Sequence, residues 1–311
     1  LFLNSLSPEL KNQIEAWRQQ ELTLSEIETS ELQIQIAEAL NLFIANTLQI
    51  QKETGFYFTQ AEDEATVLRF KDRFIQRGAK RYKQEITETF DALSDILMAK
   101  SNATAETFEF DLAKYALAQE VGSDEEKEIF EWGALALNTE EGQAVTKGWV
   151  SFKFPERVDP ANLVSNEEIS FKGIPVRKGD GKERRRDGFH LTDNRMCDHD
   201  IAGEVDYCKY CHDHEGDFCS KGFPVKKAQP ELGLKKDTFG NTQTGCPLDE
   251  KISEMITLRK SGHVIGALAM IMIENPMVPA TGHRICNDCM KACIYQKTEP
   301  VNIPQIETNV L

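Results

Sequence analysis

A chain of 311 residues with 36 Lys and Arg against 51 Asp and Glu carries a formal charge of -15, which repels phosphate backbones and excludes nucleic acid as an expected partner. Its length leaves room for about two domains and for a core that folds without disulfides. The longest apolar run, Val264 to Ile273, is half of the roughly 20 residues that a membrane span needs, so no membrane span is expected, and the grouped cysteines point to a reducing, cytoplasmic compartment.

The first 145 residues carry helical signals almost throughout and read as a helical bundle, a scaffold or docking unit. Ser7-Pro8 supplies an N-cap and a proline at the first helical position, with Leu10, Ile14 and Trp17 on one face. Ser30 and Gln33 are expected to form a capping box for a second helix bearing Leu32, Ile36, Leu40 and Phe43 and ending near Gly55. Val67, Phe70 and Phe74 make a third stripe. Tyr82, Ile86, Phe90, Leu93 and Leu97 make a fourth, on the other side of a break at Gly78. Shorter helices follow over Phe108 to Gln119 and Glu125 to Leu137. Stripes at this spacing are ordinarily core, and nothing in this part looks catalytic.

The period changes over residues 146–190. Val150, Phe152 and Phe154 alternate with Trp149, Ser151 and Lys153 as in a strand with one buried face, and Glu167 to Val176 is its expected partner in a small hairpin. Arg177 to Gly188 is polar and basic, a solvent-exposed linker whose Arg184, Arg185 and Arg186 have the chemistry to grip a phosphate or an acidic partner. From residue 191 onward a cysteine region begins, with a loop over Phe223 to Gly245. A helix follows through Ile252, Met255, Ile256 and Leu258, then a more buried one over Val264 to Ile273, which cannot continue past Pro276.

All eight cysteines lie between Cys197 and Cys293, in groups rather than dispersed as disulfide staples would be. The groups are Cys208-x2-Cys211, Cys219, Cys246-Pro247 and Cys286-x2-Cys289-x3-Cys293. Thiolates two residues apart serve zinc and iron-sulfur clusters alike. Cysteines two and three apart, a Cys-Pro step and a total close to eight ligands favour two 4Fe-4S clusters. The alternative is a zinc-stabilised protein-interaction module, for which His199, His212, His214, His263 and His283 lie near in sequence.

The ordered series "GCPLDEKISEMITLRKSGHVIGALAMIMIENPM", "GHRICNDCMKAC" and "EPVNIPQIE" resembles the N-terminal iron-sulfur domain of the glutamate synthase small subunit and of dihydropyrimidine dehydrogenase, over about Tyr207 to Thr308. The resemblance implies a mainly α fold in which residues 191–311 form an α-helical, ferredoxin-like iron-sulfur domain. It implies that Cys208, Cys211, Cys219 and Cys293 hold one 4Fe-4S cluster, and that Cys246, Cys286, Cys289 and Glu307 hold the second. Cys197 has no counterpart in that pattern, and the 26 residues between Cys219 and Cys246 read as an insertion. In such proteins the domain precedes FAD- and NAD(P)H-binding domains with GxGxxG fingerprints, and no such motif is present here. With Leu1 rather than Met at its start, the chain reads as a fragment of a longer NAD(P)H- and FAD-dependent oxidoreductase. It would pass electrons between the flavin domain and a redox partner subunit, and would have no catalytic residues of its own.

Overall fold

A computed structural model describes residues 1–163, 166–179, 188, 195–214, 216–281 and 286–311. After a short helical turn at Phe2–Ser5, helix α1 (Pro8–Arg18) starts as its sequence requires, with Ser7 Oγ accepting the Leu10 N–H and Pro8 at the first position. Helix α2 (Glu26–Leu48) begins earlier than the Ser30/Gln33 pattern indicated. Ser25 Oγ accepts the Glu28 N–H while the Glu28 carboxylate accepts the Ser25 N–H, a complete capping box in the preceding turn. The carboxylate wins because a negative charge suits the helix N-terminus better than the Gln33 amide does. Ser30 is thereby placed inside the helix, buried, and donates to Glu254. Nor does α2 run on to Gly55: Gln49 adopts a left-handed conformation at φ 59 and ends it, and Gly55 sits within α3 (Gln51–Phe70).

Helix α3 continues into a π-helical segment, Lys71–Gly78, that buries Phe74 and Ile75. It ends at Gly78, where an added Cβ would lie 2.1 Å from the Phe130 ring. Next come α4 (Phe90–Ser101), α5 (Phe108–Leu117) and α6 (Asp124–Asn138). Tyr82 and Ile86, expected on the same stripe as Phe90, lie before α4, because Thr89 caps that helix at Ala92 and Tyr82 instead donates to the Glu131 carboxylate. The core of this part gathers around fully buried Trp132, packed against Phe90, Phe108, Trp149 and Phe152.

That packing also overturns the strand expected at Val150 to Phe154. Val150–Phe152 is a 3-10 turn, with Val150 buried and the flanking Trp149 and Phe152 rings both turned onto Trp132. Apolar residues on more than one side leave no face for a sheet partner. The segment expected to pair with it pairs with itself: β1 (Asn166–Phe171) and β2 (Ile174–Gly179) are antiparallel, with Phe171 opposite Ile174. The turn Lys172-Gly173 has φ of 52 and 81, the two positive values that a two-residue hairpin turn demands. Arg184, Arg185 and Arg186 lie outside the described residues.

The cysteine region comprises α7 (Asp198–Tyr207), the short α8 (Phe218–Lys221), α9 (Ile252–Lys260), α10 (Val264–Glu274), α11 (Asp288–Ala292) and α12 (Ile303–Val310). Both helices read around "EKISEMITLRK" and "VIGALAMIMI" are present, and the second ends before Pro276 as expected. Their apolar faces form a core with Ile201, Val205 and Ile306, in which Cys219, Cys289 and Cys293 are embedded. The fold is mainly α, with one two-stranded hairpin among the described residues.

Helix α2 enters this second core from the far end of the chain. Ala37 belongs to it, and Gly266 on α10 passes so close that a Cβ there would stand 2.6 Å from the Ala37 carbonyl oxygen. Asn41, fully buried, accepts the Ile265 and Gly266 N–H groups through Oδ1 and so caps α10 from another helix. Asn41→Leu leaves those donors buried without a partner, and a loss of about 1–3 kcal/mol in urea-unfolding stability is expected. An unchanged midpoint would show that water takes over the cap.

Candidate metal centre

The cysteines are positioned by a buried network of polar groups. At the end of α7, the Glu204 carboxylate accepts from Lys153 Nζ, from the Tyr207 hydroxyl at 2.9 Å and from the Asn302 N–H at 2.8 Å. Glu204 is fully buried, so this satisfied cluster fixes the "PVNIPQIE" segment against α7. Cys208 follows Tyr207 directly, and Cys211 opens the 3-10 turn Cys211–His214. Cys219 lies in α8, and its carbonyl accepts the Cys246 N–H at 2.9 Å. The long Phe223 to Gly245 loop therefore leaves and returns to the same place, with Cys246 beside the backbone of Cys219.

Two sets of donors emerge. Cys208, Cys211, Cys219 and Cys293 lie near enough to influence one another's protonation. Burial first, with the neighbouring Cys211 and Cys293 adding to it, pushes the Cys208 thiol up to about 12, and burial with Cys293 pushes the Cys211 thiol up to about 11. Cys219, wholly buried, is raised first by burial and then by Asp217, Cys208, Cys293 and Cys211. The second set is Cys246, Cys286, Cys289 and Glu307. Cys289 is raised by burial and then by Glu307, Cys246 and Cys286, and Cys246 is pushed up to about 11 by burial, with Glu250 and Glu307 adding to it. Glu307, on α12, is itself raised by burial and by the Glu250 carboxyl with which it shares a hydrogen bond. Cys289 and Cys293, four residues apart at α11, thus belong to different sets.

Buried, mutually repelling thiols hold their protons until a cation replaces them, and thiolate is the form that a metal or an iron-sulfur cluster takes. The Tyr210 N–H donates to Cys208 Sγ at 3.5 Å, and backbone N–H groups beside Cys211, Cys246 and Cys293 act against the rise of those thiols. Hydrogen bonds of this kind stabilise thiolate and set the potential of a bound cluster. Eight donors of which seven are sulfur therefore fit the cofactor.

Three of the histidines have other partners, and His283 lies outside the described residues. His212 is buried with Nδ1 at 2.6 Å from Ser253 Oγ and Nε2 at 3.0 Å from Asp213, His199 pairs with Glu109, and His263 contacts Ser261 and the Phe58 ring. Among the described residues no three His, Cys, Asp or Glu side chains gather closely enough to hold a single metal ion. Cys197 stands outside both sets, exposed at the start of α7, its thiol donating to Asp200 at 3.3 Å. Sequence reasoning passed over Glu204, Asp217 and Glu250. A signal for Glu250 was available in "CPLDE", an acid four residues after a cysteine.

Residues 237–311 match the family model of dihydropyrimidine dehydrogenase domain II, 4Fe-4S cluster. This segment is an iron-sulfur domain. It takes in Cys246, Cys286, Cys289, Cys293 and Glu307, with Cys208, Cys211 and Cys219 lying before it. A 4Fe-4S domain of this kind supports electron transfer. The chain is similar to two uncharacterized proteins of Rickettsia prowazekii (strain Madrid E). One is 80% identical over 35 residues, 11% of this chain and 5% of that protein. The other is 25% identical over 245 residues, 73% of this chain and 79% of that protein. No solved structure matches the chain. Among the described residues no helix is long and apolar enough to cross a membrane.

Proposed function

We propose that this chain is an electron-transfer module holding two 4Fe-4S clusters within a larger NAD(P)H- and FAD-dependent oxidoreductase of the glutamate synthase small-subunit type. Cys208, Cys211, Cys219 and Cys293 bind one cluster, and Cys246, Cys286, Cys289 and Glu307 bind the other. What supports this reading is the match of residues 237–311 to a 4Fe-4S domain, with the mutual influence of the thiols within each set beside it. When bound, the clusters supply one-electron chemistry. The protein's part is to orient the thiolates, to donate N–H groups to the sulfurs, and to keep water away with the α9 and α10 core. A carboxylate at position 307 is a harder donor than thiolate and gives the second site a different potential and lability from the first. Residues 1–145 serve as a scaffold or docking surface, 146–190 as a connection, and the flavin domain or a partner subunit is the electron donor or acceptor.

Anaerobic purification followed by iron, sulfide and zinc analysis tests the reading. About eight irons with matching sulfide per chain are expected. Stoichiometric zinc without sulfide would replace the proposal with a zinc-stabilised module. Glu307→Ala is expected to alter or abolish the paramagnetic signal of one reduced cluster while the other persists; an unaltered spectrum would take Glu307 out of the site. Cys197→Ser is expected to leave the iron content as it was. Loss of about four irons would show instead that Cys197 is a ligand.

A further inference from the structure

The chain is acidic overall, yet residues 71–83 hold six Lys and Arg against one acid, Asp72. Two of the six are engaged elsewhere: Lys71 is buried against Asp206, and Lys80 lies over the Phe154 ring. The other four, Arg73, Arg77, Arg81 and Lys83, line one cleft of about 420 Å³ together with Tyr82 and the partly buried Phe130 of α6. Among the described residues no carboxylate lines it.

Local structure gathers these cations. Arg73 and Arg77 stand one turn apart in the π-helical segment, a form frequent at functional sites. The 3-10 turn Ala79–Arg81 and the extended backbone at Tyr82 then bring Arg81 and Lys83 to the same cleft. Only glycine at position 78 admits the Phe130 ring as the cleft's apolar wall, since a Cβ there would lie 2.1 Å from it.

Two of the four charges are balanced. Arg73 is held by the Glu126 carboxylate through Nε at 3.2 Å and Nη2 at 2.6 Å, with its guanidinium over the Phe74 ring. Arg77 meets Asp72 at 3.0 Å, and both side chains are largely exposed, so that pair is weak. The exposed Arg81 and Lys83 side chains have no hydrogen bond, ion pair or ring contact, not even to the free carbonyls that end the helical segment. About two positive charges remain, less roughly half a charge from the helix C-terminus. A carboxylate ligand brings one negative charge and leaves the cleft positive. A phosphate monoester brings about 1.5 to 2, with three oxygens for the guanidinium and ammonium donors. The volume lies within the roughly 300–1,000 Å³ of small-molecule sites, more room than a lone phosphate takes. We propose that Arg77, Arg81 and Lys83 bind the phosphate of a small organic phosphate monoester whose apolar part lies on Phe130, beside Arg73 as a fixed wall. The site lies wholly within residues 73–84 and Phe130, so it stands or falls apart from the cluster reading.

Titration calorimetry of phenyl phosphate, inorganic phosphate and benzoate into the full chain, in phosphate-free buffer at constant ionic strength, tests this. One phenyl phosphate per chain is expected, with inorganic phosphate weaker at the same site and benzoate weaker by about tenfold or more. Arg81→Ala and Lys83→Ala should each weaken both phosphates about tenfold. These are changes at exposed positions, and circular dichroism of the variants should match the wild type. Phe130→Leu should shrink the advantage of phenyl phosphate over inorganic phosphate, and Lys52→Ala, on an exposed part of α3, should change nothing. Absence of saturable binding, an equal loss with Lys52→Ala, or benzoate binding as tightly as phenyl phosphate would overturn the site. Equal affinity for phenyl and inorganic phosphate would overturn the role of Phe130.

Discussion

Glu64→Ala should lower the stability of this protein by about 3–5 kcal/mol, the loss that follows when one partner of a buried ion pair is removed. The Arg259 side chain is 4% exposed and grips Glu64 through both terminal nitrogens, at 2.9 and 3.2 Å, while Nε donates to Asn309 at 2.8 Å. Asp198 lies 3.9 Å away on α7 and is half exposed, too distant to take over. Without Glu64 the guanidinium keeps its burial and loses its counter-charge. The double replacement Glu64→Leu with Arg259→Met removes both charges and should recover most of the loss. Urea unfolding of the single and double variants measures the difference. A cost for Glu64→Ala below about 1 kcal/mol, in the range of an exposed pair, would show that water reaches Arg259. Because Glu64 stands on α3, Arg259 on α9 and Asn309 on α12, the same variant reports how firmly the N-terminal helices are held to the iron-sulfur core.

On the proposed ligand assignment, Gly245→Ala is expected to remove the cluster at Cys246 while costing the first site less. Gly245 has φ +74, and a Cβ there would lie 2.4 Å from the Gly222 nitrogen and 2.6 Å from the Ser220 oxygen. Those are backbone atoms and have no rotamer by which to retreat. The loop has to open, and the first bond lost is the one from the Cys246 N–H to the Cys219 carbonyl. Gly240 is the matched control, with φ +85 and nothing within 4 Å of its would-be Cβ. Gly240→Ala therefore incurs only the left-handed strain, about 1–2 kcal/mol, whereas Gly245→Ala adds the clash. Iron analysis of the two variants should give close to the full content for Gly240→Ala and about half for Gly245→Ala. Equal iron in both would mean that the Cys219–Cys246 contact does not position the second site.

Where signals were local, the chain could be read from its residues. Ser7-Pro8 opening α1, the break at Gly78 and the helices α5, α6, α9 and α10 follow from caps, glycine and apolar period. Errors arose where two local patterns competed. Ser25/Glu28 and Ser30/Gln33 both spell a capping box; the Glu28 carboxylate favours the first, and the burial of Ser30 against Glu254 removes the second. The alternation at Val150 to Phe154 is a true period of two, but Trp132 packs its aromatic residues into a 3-10 turn. Lys172-Gly173, with its tight-turn chemistry, was the stronger hairpin signal.

By itself the sequence supplied seven grouped cysteines and a Cys-Pro step in an order that fits iron-sulfur chemistry, and the family resemblance added Glu307 as an expected donor. Helical period and caps are set by neighbours along the chain, which is why the mainly α class was legible as well. Only the tertiary structure decided what those residues face. The return of Cys246 to Cys219 across the long loop, the pairing of Glu307 with Glu250, and the entry of Ala37 and Asn41 into the C-terminal core all join residues distant in sequence. Burial and hydrogen bonding across such separations leave no periodic mark on the chain, because they depend on which surfaces pack together rather than on spacing.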